Sequence, residues 1–127
     1  MLVGCAAVTI DPEVSGSVTS RLSENNVENG IHVPLLSLEN ILFENNVPPH
    51  SRPVLKMDCE GCEYDVILSS TEHTLQKFSH ILIEYHYSYK DLLDVLIKSG
   101  FRTSISVPRR SIADTRMRFG YIFADRI

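Results

Sequence analysis

The stretch that decides the fold is Val54-Leu55-Lys56-Met57-Asp58-Cys59-Glu60-Gly61-Cys62-Glu63-Tyr64. An apolar run enters it, two acids and a glycine end that run, and a segment without proline follows. This pattern predicts a buried strand, a tight turn and the first turn of a helix. Ligands of open α/β sheets bind at the carboxyl ends of the strands, so the sequence predicts a site at this junction.

Two explanations compete for the acids of the junction. The helix dipole stabilises acidic residues in the first turn of any helix, which accounts for Glu60 and Glu63 without a function. Asp58 differs because it ends an apolar strand, where a buried carboxylate is costly unless it has a partner. We therefore expect Asp58 to be the functional acid, while both explanations stay open for Glu60.

The same residues carry a resemblance to a known family. Lys56-Met57-Asp58-Cys59-Glu60-Gly61-Cys62-Glu63 resembles the K-I-D-V-E-G-A-E signature of FkbM-type methyltransferases. Val33–Leu42 is similar to the V-x-x-x-T-L-D-x-L-L pattern that precedes this signature, and Ile81–His86 to the I-x-x-E-x-H strand that follows it. Gly100 and Phe101 match a late pair of glycine and an aromatic residue. The resemblance covers most of the chain.

The resemblance implies an α/β fold and a methyl-transfer activity. These enzymes use S-adenosylmethionine and have the Rossmann-like class I methyltransferase fold. That fold has a mostly parallel sheet, helices on both faces and an antiparallel closing strand pair. The resemblance also implies transfer of the methyl group to an oxygen atom of a small-molecule acceptor. No motif identifies this acceptor.

The resemblance also implies roles for individual residues. Asp58 would face the donor methyl, where it positions the acceptor or removes its proton. Asp58 and Glu60 would contact the cofactor, and Glu84 would contact the acceptor. His86 is a candidate base because the charge of histidine changes near neutral pH. A hydrogen-bonded histidine at a strand end, without a catalytic role, is the alternative.

One part of the family's fold is missing from the sequence. The glycine-rich turn that holds the cofactor has no counterpart before Val54, where the glycines are isolated. The resemblance therefore implies an incomplete class I fold without its first strands. The chain would be a truncated methyltransferase, inactive alone, or a non-catalytic assembly module derived from that fold.

The missing strands would leave an unpaired edge. The strand Val54 to Asp58 should lie inside the sheet, and without its neighbour it would expose unpaired N–H and C=O groups. We expect this edge to be covered by Leu2–Ile10, by a second copy in a homodimer, or by a separate N-terminal polypeptide.

A divalent metal is a competing use of the polar residues at the strand ends. Asp58, Glu60, Glu84 and His86 would suit such an ion if they converged. Spacing alone does not show convergence, and the sequence assigns no metal.

The spacing Cys59-Glu60-Gly61-Cys62 is the C-x-x-C of redox dithiols and of metal-binding pairs. The acids around it disfavour a reactive thiolate, and cysteine also fills cores as a small hydrophobe. Reduced, buried thiols are therefore the expectation, and a dithiol or zinc site is the alternative.

The rest of the chain predicts short strands and amphipathic helices. Strands are expected over 2–10, 17–22, 31–36 and 80–86, and an antiparallel pair over 101–107 and 119–124. Ser37 is expected to cap a helix with Leu38, Ile41 and Leu42 facing inward. A helix over 90–99 should bury Leu92, Leu93, Leu96 and Ile97 and end at Gly100. The arginine-rich loop over 108–118 is either a solvated loop or an anion-binding flap.

Length and composition bound the remaining possibilities. With 127 residues, 43% of them hydrophobic and 22% charged, the sequence predicts one globular domain over 1–127. Within it we expect short strands and a loop over 1–36 and the methyltransferase-like core over 37–127. A net charge of −4 without a basic stripe argues against nucleic acid. No apolar run could span a membrane, no signal peptide is recognisable, and the cysteines lack framework spacing, so we expect a cytoplasmic protein.

Overall fold

The computed structural model describes residues 5–9, 21–23, 31–34, 36–59 and 61–127. The first three ranges are strands, β1 (Cys5–Thr9), β2 (Arg21–Ser23) and β3 (Ile31–Pro34). They form an antiparallel sheet in the order β2-β1-β3. Each lies within or beside a segment that the sequence predicts to be extended.

A second, mixed sheet of five strands makes the fold α/β. Its strands are β4 (Val54–Met57), β5 (His80–Tyr85), β6 (Phe101–Ile105), β7 (Arg109–Arg110) and β8 (Arg118–Arg126). The order is β4-β5-β8-β6, and β7 pairs with β8. β4 and β5 are parallel, whereas β8 runs antiparallel to β5 and to β6. The predicted antiparallel closing pair is therefore present.

Four helices accompany this sheet. They are α1 (Leu38–Glu44), α2 (Cys62–Ser69), α3 (Glu72–Leu75) and α4 (Lys90–Lys98). The Ser37 hydroxyl accepts a hydrogen bond from the Asn40 N–H at 3.1 Å, which is the predicted cap of α1. Thr71 caps α3 in the same way after α2 ends. No helix in the described part of the chain has the length and apolar character to cross a membrane.

One face of the five-stranded sheet packs on the core. Burial alternates along β5, where Ile81, Ile83 and Tyr85 are buried. α2 contacts α4, and α4 contacts β6. The helices contribute fully buried residues to this core, namely Ile67, Leu75, Leu92 and Leu96. Ile41 and Ile97 are exposed, so their predicted inward positions are wrong.

The opposite face of the sheet is more open in the described part of the chain. Tyr121 and Phe123 of β8 are 42% and 48% exposed. Because burial alternates on β5 and β8, these strands have the pattern of a sheet with one covered face. Helices on both faces stay a prediction.

The β4 strand lies at the edge of its sheet. Among the described strands, β4 pairs only with β5. The N-terminal strand β1 pairs with β2 and β3 instead, because antiparallel neighbours are available to it. The prediction that Leu2–Ile10 covers this edge is therefore wrong for the described residues Cys5–Thr9.

Candidate functional site

The junction between β4 and α2 positions the polar residues of the site. β4 ends at Met57, Asp58 follows, and Gly61 is the N-cap of α2. Gly61 has a φ of 115°, a conformation that residues with a side chain rarely adopt. α2 therefore begins at Cys62, four residues after Asp58. Glu60 lies outside the described residues, so its predicted cofactor contact stays a prediction.

Glu63 is the most deeply buried charged residue of the junction, with 0% of its surface exposed. Its Oε2 accepts a hydrogen bond from the Gly61 N–H at 2.9 Å. Its Oε1 lies 3.0 Å from Nδ1 of His86, which is itself only 5% exposed. Each carboxylate oxygen therefore has a partner, as a buried carboxylate requires. The helix dipole alone does not explain this arrangement.

The Glu63 contact orients the imidazole of His86. An ionised carboxylate can only accept a hydrogen bond, so Nδ1 of His86 is assigned as the donor. Nε2 then points the other way, and it lies 3.9 Å from Oδ1 of Asp58. The ring thus lies between the buried carboxylate of Glu63 and the carboxylate of Asp58, whose side chain is 48% exposed.

Three predicted site residues converge at the carboxyl ends of β4 and β5. Asp58, Glu84 and His86 each offer one oxygen or nitrogen atom, and these atoms lie within 4.8 Å of one another. Parallel neighbouring strands place their carboxyl ends at the same edge, which is why residues far apart in sequence meet here. We call Asp58, Glu84 and His86 the strand-end cluster.

Tyr121 adjoins the strand-end cluster from β8, where it lies opposite Glu84 in the β5–β8 register. The negative charge of Glu84, aided by desolvation and by the charge of Asp58, raises the pKa of Tyr121, and Arg109 opposes this. Sequence reasoning missed Tyr121 and the burial of Glu63. The final glutamate of the signature was a signal for Glu63, whereas no motif marked Tyr121.

Cys59 and Cys62 form a disulfide, with an S–S distance of 2.00 Å. The expectation of reduced thiols is therefore wrong for this pair. The strand-to-helix turn brings their Cα atoms to 5.4 Å, a separation that suits a disulfide. Sγ of Cys59 also lies 3.4 Å from Oε2 of Glu63, so the bridge packs beside the buried carboxylate.

Two concavities lie away from the strand-end cluster. One, of about 300 Å³, is lined by residues of α1, α2 and the turn before α3. The other, of about 470 Å³, is lined by α1 and by the loop that leads into β4. Neither is lined by a member of the cluster, which lies at the carboxyl ends of β4 and β5.

The described residues do not form a cradle for S-adenosylmethionine by themselves. At the β4–α2 turn, the Gly61 N–H already donates to Glu63, so it does not offer a donor to a bound cofactor. The concavities are remote from Asp58. Any cofactor contact by Asp58 would therefore need further residues to complete the pocket.

Comparisons with known proteins agree with the signature. Searches of curated proteins and of solved structures found no significant match. The family model of the methyltransferase FkbM domain matches residues 1–103, which include α1, the β4–α2 junction and the strand-end cluster. The chain therefore belongs to the FkbM methyltransferase domain family.

Proposed function

We propose that this chain supplies the acceptor side of an S-adenosylmethionine-dependent methyltransferase that transfers a methyl group to oxygen. The observation that carries the proposal is the convergence of Asp58, Glu84 and His86 at the carboxyl ends of two parallel strands. Family membership supports the reaction class. The mixed sheet with its antiparallel closing pair is consistent with a Rossmann-like class I fold.

Asp58 is proposed to hold the acceptor hydroxyl and to take its proton. Its side chain is half exposed, so an incoming hydroxyl can reach it. Methyl transfer requires the acceptor oxygen to be held in line at about 3–3.5 Å from the methyl carbon. A positioned base typically adds about 10²–10⁴-fold to such a reaction.

Glu84 and Tyr121 are proposed to orient the acceptor. They lie opposite each other in the β5–β8 register, and a carboxylate oxygen of Glu84 lies within 4.8 Å of one of Asp58. A carboxylate accepts hydrogen bonds and a phenol donates one, so together they can bind the hydroxyl groups of a polyhydroxylated molecule. This pair therefore favours a small polar acceptor over an apolar one.

His86 is proposed to position Asp58, with its own ring fixed by the Nδ1 contact with the buried Glu63. Nε2 faces Asp58 at 3.9 Å, and in the imidazolium form its N–H attracts the Asp58 carboxylate. His86 was also a candidate base from the sequence. Its burial favours the positioning role, because a bound acceptor meets Asp58 first.

The methyl donor would be S-adenosylmethionine, whose sulfonium supplies an activated methyl group. Asp58 and Glu60 are the proposed contacts on this chain. A second copy, or an N-terminal polypeptide, would complete the pocket across the β4 edge. The support for this part is the family assignment and the unpaired edge among the described strands.

Calorimetric titration of the full chain with S-adenosylmethionine and with its demethylated product tests the proposal. We expect saturable binding, and a weaker affinity in Asp58→Asn. Asp94→Asn, an exposed acid on α4, is the matched control and should bind as the wild type does. No heat from a folded, monodisperse sample would instead support a non-catalytic assembly module.

A further inference from the structure

We propose that the strand-end cluster of Asp58, Glu84 and His86 is a binding site for a divalent first-row metal ion. Two carboxylates and one imidazole form a mixed oxygen and nitrogen ligand set, which suits ions such as Mn²⁺ or Zn²⁺. Water or an acceptor oxygen would complete the coordination shell, because Asp58 and Glu84 are accessible to solvent.

The distances in the cluster are close to those of a metal site. Ligand atoms bound to one ion at about 2.0–2.2 Å lie no more than about 4.4 Å apart. The His86 Nε2 to Asp58 Oδ1 distance of 3.9 Å already meets this limit. The largest separation in the cluster is within 4.8 Å, so side-chain movements of a few tenths of an ångström bring all three atoms onto one ion.

A second observation lies outside the cluster. Metal-binding histidines almost always donate their other ring N–H to a carboxylate, a carbonyl or a water, which fixes the ring and makes the ligating nitrogen more basic. Glu63 provides this contact at 3.0 Å, with 0% of its surface exposed. A structural histidine does not require a buried carboxylate behind it. The Glu63–His86 pair therefore has the arrangement that is typical of a metal-binding histidine.

The charge of the site favours a cation. Asp58 and Glu84 bring two carboxylates together. Glu63 adds a third carboxylate on the far side of the imidazole. A divalent ion would offset the repulsion between the carboxylates.

The use of this ion in catalysis rests on the proposed function. A cation bound by one Asp58 oxygen would attract the acceptor hydroxyl and favour its deprotonation. The second Asp58 oxygen could then receive that proton. Metal binding itself does not depend on methyl transfer, so the two ideas can fail separately.

The test is a titration of the full, chelator-stripped chain with Mn²⁺. Free Mn²⁺ gives a six-line electron paramagnetic resonance signal that is lost on binding, so the bound fraction is measured without activity. We expect one saturable site per chain. Asp58→Asn and Glu84→Gln should each weaken it at least tenfold, and Glu63→Gln by about 10–100-fold through the ring of His86.

Controls decide whether the site is specific. Asp94→Asn should bind Mn²⁺ as the wild type does, and circular dichroism should show every variant folded. Glu84→Gln is the decisive variant, because Glu84 is partly exposed and glutamine has nearly the same shape, so the change does not threaten folding. Absence of binding in a folded sample, or equal affinity in wild type and Glu84→Gln, would overturn the inference.

A parallel titration with S-adenosylmethionine separates the two proposals. Mn²⁺ binding without cofactor binding would leave the metal site standing and remove the methyltransferase role of the isolated chain. Cofactor binding in a protein that binds no Mn²⁺ would remove the metal site and leave the proposed function.

Discussion

Glu63 and Asp65 share the first turn of α2 but differ in burial, which makes them a matched pair. Both gain from the helix dipole, by about 0.3–1 kcal/mol. Only Glu63 accepts two hydrogen bonds in a buried position. A hydrogen bond to a charged group contributes about 1.5–3 kcal/mol to the stability of the folded state.

We therefore expect Glu63→Gln to lower the free energy of unfolding by about 2 kcal/mol or more, because its amide nitrogen would face one of two donors. Asp65→Asn should cost less than about 1 kcal/mol. Urea denaturation of both variants measures the difference. Equal losses would mean that the dipole, rather than the buried hydrogen bonds, explains Glu63.

The pKa of Tyr121 should depend on the charge of Glu84. That charge is the main cause that raises the pKa of Tyr121 above its ordinary value of 10.0. The neutral phenol is therefore favoured in the folded state, and this stabilisation is present below pH 10 and lost as pH rises through the folded-state pKa.

The measurement is ultraviolet titration at alkaline pH, taken as wild type minus Tyr121→Phe, since Tyr64 and Tyr85 also have raised pKa values through burial. Glu84→Gln should shift the Tyr121 midpoint to lower pH. A midpoint that does not move would show that burial, and not Glu84, sets the titration.

At the level of secondary-structure elements, β5 and β8 approach each other closely at one point. Gly120 lies opposite Tyr85, and a Cβ atom there would be 2.5 Å from the Tyr85 hydroxyl and 2.9 Å from Oγ of Ser106. The buried hydroxyl of Tyr85 has no hydrogen-bond partner among the described residues. Glycine is needed here for space and not for its backbone conformation.

Gly120→Ala should therefore destabilise the fold by about 1–3 kcal/mol through overpacking. Adding Tyr85→Phe removes the nearest atom and should recover part of the loss. Tyr85→Phe alone should be neutral or stabilising, because it removes a buried hydroxyl without a partner. Thermal unfolding of the two single variants and the double variant measures this coupling, and purely additive effects would argue against the contact.

The elements that sequence reasoning placed well are those with local signals. Ser37 caps α1, and Gly100 follows α4 with a φ of 86°. Failures occurred where tertiary contacts decide. Ile41 lies on the apolar stripe of α1 but is 42% exposed in the described part of the chain.

The candidate site divides in the same way. Asp58 and Glu84 could be predicted because they end apolar strands, and ends of parallel strands meet. The Glu63–His86 contact spans 23 positions in sequence and depends on the turn at Gly61, which no pattern measures. Tyr121 lies beside the site only because of the pairing register of β5 and β8. The Cys59–Cys62 disulfide depends on the distance across the turn at Gly61.

At the scale of the whole molecule, the β4 edge is the surface through which we predict association. Val54 is 62% exposed on this edge strand, and unpaired edges favour pairing with another chain. A homodimer through β4 stays our prediction, as does the view that residues 1–127 form one domain.

Val54→Asp should shift the sedimentation profile towards the monomer, because a charge would be placed beside the pairing edge. Val107→Asp is the matched control, since Val107 is 84% exposed but lies after β6, outside the edge. Sedimentation velocity at several concentrations distinguishes them. A wild type that is monomeric throughout would remove the homodimer.

The position of β8 between β5 and β6 has a consequence for biosynthesis. These two strands do not pair with each other; each bonds to β8, which follows both in the chain. While the ribosome is still adding residues before Arg118, the nascent sheet lacks its connecting strand, and the apolar faces of β5 and β6 have no common partner. The sheet can close only when β8 has emerged, so a nascent chain paused before that point would be vulnerable to aggregation and dependent on chaperones.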